Sequence, residues 1–70
     1  MDYSSLRAAI AKEGVTNRHL ANCLELSEQA FSNKVSGRTE FKNSEIKILA
    51  KELNLNMTAI NSIFFDNTVN

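Results

Sequence analysis

The chain has 70 residues, with eight Lys plus Arg, eight Asp plus Glu and one His, so it carries no formal charge when that His is neutral, and its sequence pI is about 6.5. That balance excludes a binder working through bulk positive charge, and the length allows one small domain, which excludes two-lobed enzymes and elaborate cavities. Hydrophobic residues make up 43% and charged residues 23%, the proportions of an ordinary globule and not of a disordered chain.

Proline is absent and glycine occurs only twice, which suits an all-α chain of short helices. Ser4 or Ser5 is positioned to cap a first helix over about residues 4–13, with Leu6, Ala9 and Ile10 at helical spacing and Glu13-Gly14 as the stop. Thr16 caps a second helix from Asn17 that buries Leu20, Ala21 and Leu24. This helix must be short, because Ser27 offers the next cap only a few residues later. The third runs from Ser27 to about Val35, turns Phe31 and Val35 inward, and ends at Ser36-Gly37.

Residues 37–43 read as a loop pinned by Phe41, after which Asn43 or Ser44 caps a fourth helix with Glu45 in its first turn. Ile46, Leu49, Ala50 and Leu53 form its apolar face, and Asn54 tolerates the left-handed conformation that ends it. Asn56 or Thr58 starts a fifth helix carrying Met57, Ile60, Ile63 and Phe64, and residues 66–70 form a polar tail beyond an ordered core of about 4–65. Ile63-Phe64-Phe65 places apolar groups at consecutive positions around that helix, so one Phe is expected to be exposed and to offer an association surface for a second chain.

The chemistry of catalysis is missing. One His, with no second imidazole and no Cys cluster, does not make an ordinary zinc site, and no Gly-rich loop cradles a phosphate. No cofactor, small-molecule substrate or enzyme activity is therefore expected. His19 reads as a surface residue, and Cys23, beside Leu20, Ala21 and Leu24, as a buried thiol acting as a small apolar group. A single Cys forms no internal disulfide, and no apolar stretch approaches the roughly 20 residues that span a bilayer. The opening residues, Asp2 followed by Ser4-Ser5, are unlike a signal peptide. The expectation is a cytoplasmic protein with no membrane partner.

The stretch from Thr16 to Gly37 resembles the helix-turn-helix of the lambda-repressor and Cro-like (XRE) family: Leu20-Ala21 at the helix crossing, Leu26 in the turn, Phe31 five residues later and a closing Ser36-Gly37. Beyond it, Phe41, Glu45-Ile46, Ile48, Leu49, Leu53-Asn54-Leu55 and residues 60–65 are similar to small phage regulators of Gram-positive bacteria. The resemblance implies a five-helix, lambda-repressor-like DNA-binding domain whose third helix enters the major groove of operator DNA. It places base contacts at Glu28, Gln29, Ser32 and Asn33, and backbone contacts at Asn17, Ser36, Arg38 and Lys42. Arg18 and Lys34 stand on the same rim.

The residues agree with that assignment. With Phe31 and Val35 inward, Glu28, Gln29, Ser32 and Asn33 remain on the outer side, and an amide there pairs an adenine bidentately. Three positions depart from the family. Glu25 occupies a turn position that is usually Gly, so it must adopt a left-handed conformation or the turn must take another path. Glu28 carries a negative charge onto the leading edge of the third helix. Lys34 stands where an apolar residue is common, its stem packing and its ammonium reaching water.

Over residues 16–51 six basic residues outnumber four acidic ones, leaving a weakly basic region of net +2. So small an excess makes a second reading necessary, in which the helix-turn-helix serves as an antirepressor or modulator. Glu25 and Glu28 then imitate phosphates and attract the DNA-binding domain of a phage repressor.

Overall fold

A computed structural model of the chain describes residues 1–65. The polar tail expected over 66–70 lies outside the described residues. Among those described, the chain is all-helical, with five helices and no strand: α1 (Tyr3–Glu13), α2 (Asn17–Cys23), α3 (Glu28–Val35), α4 (Asn43–Glu52) and α5 (Met57–Phe64).

Each helix begins where an acceptor meets otherwise unpartnered amides. Thr16, Ser27 and Asn56 accept from the amides of His19, Ala30 and Ala59 at 3.0, 3.0 and 2.8 Å, as the sequence led us to expect. Two starts differ. The first helix is capped by Asp2, not by Ser4 or Ser5. Its carboxylate accepts from both the amide and the hydroxyl of Ser5, at 3.0 and 2.8 Å, because an acid two residues earlier supplies two oxygens where serine has one. These bonds, the Ser5 amide first, hold the Asp2 carboxyl below its ordinary range. Nor does Asn43 or Ser44 cap α4. Lys42 occupies the cap position, and its amide donates back to Glu45 Oε1 at 2.8 Å, so the acceptor comes from inside the helix.

The ends follow one pattern. After α2, the Leu26 amide reaches the Ala21 carbonyl at 2.8 Å and Glu25 sits at φ 59°. After α4, the Leu55 amide reaches Ala50 at 2.9 Å and Asn54 sits at φ 54°. After α3, the Arg38 amide reaches Asn33 at 2.9 Å with Gly37 at φ 91°. The four-residue turn 24–27 therefore keeps the compact path of a glycine turn by placing Glu25 in the left-handed region.

The helices enclose one core built from Leu6, Ile10, Leu20, Phe31, Leu49, Leu53 and their neighbours. α2 packs against α3 and α4, and α1 against α3 and α5. Phe41, in the loop after α3, is buried between helices. Its ring meets Phe31 and Phe64 edge-on at centroid distances of 6.2 and 6.4 Å, which pins the loop to α3 and α5. Met57 departs from the expected face of α5. It is 68% exposed, while Ile63 and Phe64 fill the core.

Candidate functional site

α3 is held from below and presented above. Phe31 is fully buried and Val35 nearly so, and their spacing of one turn fixes which side faces solvent. Glu28, Gln29 and Ser32 lie exposed on that side, and Asn33 is half-buried beside them. The four residues singled out from the sequence thus share one surface.

Their hydrogen bonds divide the work. Gln29 Nε2 donates to Asn33 Oδ1 at 3.2 Å, one helical turn away. This bond uses one amide hydrogen of Gln29 and leaves its carbonyl and second hydrogen, an acceptor and a donor. Asn33 therefore orients Gln29 and keeps its own NH₂ group for a further contact. Glu28 is not a bare charge: its Oε2 lies 3.7 Å from Arg18 Nε in an exposed ion pair between the starts of α2 and α3. Such a pair contributes at most about 1 kcal/mol to stability, but it trims the negative field at the leading edge of α3.

The rim separates into outward and inward members. Asn17, Arg38 and Lys42 are exposed, and among the described residues Arg38 and Lys42 take part in no ion pair. Ser36 is exposed, but its hydroxyl donates to the Asn33 carbonyl at 3.0 Å.

Lys34 does not reach water as its sequence position led us to expect. Its ammonium sits 3.1 Å from Glu45 Oε1, donates to the Glu40 carbonyl at 2.8 Å and lies 5.9 Å from the centre of the Phe41 ring. Only 12% of the Lys34 side chain and 10% of the Glu45 side chain remain exposed. This cation fastens α3 to the start of α4 and cannot also serve a phosphate. Burial pushes the Glu45 carboxyl up. The Lys42 amide and the Lys34 ammonium pull it further the other way, so it lies below its ordinary range.

Of Ile63, Phe64 and Phe65, where an association surface was expected, one Phe is exposed as anticipated. Ile63 and Phe64 are 5% and 6% exposed, whereas Phe65, just past the end of α5, is 48% exposed. Phe65 and Met57 border an open groove of about 450 Å³ between α4 and α5, floored by Ile46, Ala50 and Ile60.

One constellation escaped the reading of the sequence. His19 and Cys23 stand one turn apart on α2, and the end of α4 brings Glu52 to them. His19 Nε2 is 3.1 Å from Glu52 Oε1 and 3.6 Å from the Cys23 sulfur. Cys23 is half-buried there and not enclosed in the core as expected. The spacing of His and Cys was a readable signal. The third member, 33 residues from His19, was not.

Among the described residues no helix is long and apolar enough to cross a membrane. No curated protein and no solved structure matches the chain. Residues 1–67, nearly its whole length, match the family described as "Protein of unknown function (DUF739)", and the chain belongs to that family.

Proposed function

We propose that the chain is a phage-type helix-turn-helix transcriptional regulator of the Cro and repressor kind, binding double-stranded operator DNA through α3, alone or with a partner repressor. In this reading α2 and α3 are the helix pair of a lambda-repressor-like domain, and α3 enters the major groove. The observation that carries it is the α2–α3 unit. Two short helices joined by a tight turn bury one side of α3 and offer Gln29, Ser32 and Asn33 on the other, with Gln29 held by Asn33 in a state that still reads an adenine. Asn17, Arg38 and Lys42, with Arg18 where it leaves Glu28, hold the phosphates. The role is one of binding and not of catalysis, in the cytoplasm of a bacterial host.

The electrostatic share is small. With Lys34 committed to Glu45, two or three phosphate contacts per protomer give a salt slope of roughly −2 to −3. A single protomer is therefore a weak binder, and a second copy or a repressor completes the grip. Two copies meeting through Phe65 and the α4–α5 groove supply that arrangement, and a monomer in sedimentation at high concentration removes this part of the proposal.

A second reading rests on a specific observation. The arginine and the lysine nearest the body of α3 are paired with acids, Arg18 with Glu28 and Lys34 with Glu45, so the outer face is dominated by uncharged and acidic groups. Such a face suits an antirepressor that grips the basic DNA-binding domain of a phage repressor.

A mobility-shift experiment separates the two. The probe is the intergenic DNA beside the gene, with and without the neighbouring repressor. Direct reading predicts a shift by this chain alone that Gln29→Ala abolishes and Lys42→Ala weakens, reducing the salt slope by about 0.9. If the chain gives no shift but removes the repressor's own shift, the regulator reading fails and the modulator reading stands.

A further inference from the structure

We propose that His19, Cys23 and Glu52 form a binding site for one borderline-soft divalent cation, best matched by Zn²⁺, which joins α2 to α4. The three donor atoms lie within 4.8 Å of one another, and the separations are those of a metal-binding face. A tetrahedral ion with bonds of about 2.0 Å to nitrogen and oxygen and about 2.3 Å to sulfur holds N and S roughly 3.5 Å apart and N and O roughly 3.3 Å apart. The observed 3.6 and 3.1 Å differ from these by tenths of an ångström, and the Cys23 and Glu52 donors, within 4.8 Å of each other, close by at most about 1.3 Å through side-chain rotation to reach a sulfur–oxygen spacing of roughly 3.5 Å.

The donor set selects the ion. A thiolate and an imidazole disfavour Mg²⁺ and Ca²⁺, whereas sulfur, nitrogen and one carboxylate oxygen together suit Zn²⁺. Both His19 and Glu52 keep a solvent-facing side, at 52% and 32% side-chain exposure, so a water completes the coordination. On binding, the S–H bond of Cys23 is replaced by a sulfur–metal bond and its proton passes to the buffer, while neutral His19 and ionised Glu52 each donate a lone pair. The site does not depend on what α3 recognises.

Co²⁺ titration of the reduced, metal-free chain tests it. The expected result is saturation at one ion per chain, with a sulfur-to-cobalt charge-transfer band and the intense ligand-field absorption of four-coordinate cobalt, both lost when Zn²⁺ is added. Zn²⁺ should also raise the unfolding midpoint. Cys23→Ser removes the charge-transfer band, His19→Gln and Glu52→Gln each weaken binding at least about tenfold, and Glu40→Gln leaves it unchanged. Circular dichroism of each variant without metal verifies that the fold persists. The proposal is overturned by unsaturable binding, a six-coordinate spectrum without the charge-transfer band, one ion per two chains, or undiminished binding in folded His19→Gln and Glu52→Gln.

Discussion

Replacing Lys34 with Met tests whether this cation belongs to the fold or to a ligand. The Lys34 ammonium and Glu45 carboxylate lie 3.1 Å apart with little exposure, and at an effective dielectric constant near 20 their gross attraction is about 5 kcal/mol. Desolvation of both groups offsets most of that. What the substitution measures is the cost of leaving Glu45 without its cation, about 3–5 kcal/mol for a fully buried pair. Glu45 keeps the Lys42 amide, which reduces the loss to about 2–3 kcal/mol and the melting temperature by roughly 10–20 °C. Adding Glu45→Gln, which retains the cap acceptor, should give a double variant less destabilised than the sum of the single ones.

The dependence on pH has a definite sign. Because the folded-state carboxyl lies below its ordinary value of 4.5, its contribution is complete above that value and is lost as pH falls through the folded one. The gap between wild type and Lys34→Met, read by thermal unfolding, must therefore shrink in acid. A variant within 0.5 kcal/mol of wild type at neutral pH, or a gap unchanged in acid, would refute the reasoning (the threshold being about the effect of an ordinary surface substitution).

Glycine positions provide a paired comparison. A Cβ at Gly14 meets nothing within 4 Å, so Gly14→Ala costs only its positive φ, about 1 kcal/mol after the gain from a stiffer unfolded chain. At Gly37 the same atom lies 3.2 Å from the Tyr3 ring, and Gly37→Ala should cost about 1 kcal/mol more in urea unfolding; equal losses would show that the ring gives way freely. Glu25→Gly releases a non-glycine residue from φ 59° and should stabilise by about 0.5–1 kcal/mol, whereas a destabilised variant would mean that the turn is not strained.

Legibility in the sequence followed the range of each interaction. Thr16, Ser27, Asn56 and the left-handed Asn54 were readable because a cap or a turn involves residues a few positions apart. The local errors had local causes: Asp2 and Glu45 offered acceptors that competed successfully with Ser4, Ser5, Asn43 and Ser44. Lys34 and Cys23 were misjudged, and His19, exposed as expected, was left without its partner, for another reason. Their partners Glu40, Glu45 and Glu52 are brought in by the packing of α3 and α2 against other parts of the chain, and no periodicity along one helix contains that information. Met57 shows the limit of periodicity itself. It stands one turn before Ile60 and so satisfies the apolar spacing of α5, yet the core is already closed by Ile63, Phe64 and the half-buried Ile60.

The zero net charge acquires a spatial meaning from these pairs. Arg18 with Glu28 and Lys34 with Glu45 each place a positive and a negative group together at an end of α3, so charge cancels beside the outer face and does not merely average out over the chain. Arg38 and Lys42, which take part in no ion pair among the described residues, lie in the loop after α3 and not on it. For the proposed operator binding, weak phosphate attraction leaves discrimination to the amides, at about 1–3 kcal/mol for each well-formed bidentate contact. One such contact from Gln29 is too little to select an operator from random sequence, where specific sites are held tighter by roughly 4–10 kcal/mol. Two copies of α3 raise it to about 2–6 kcal/mol, the lower part of that range, and a repressor beside one copy adds its own contacts and charge, which is why the proposed activity requires either a dimer or a partner.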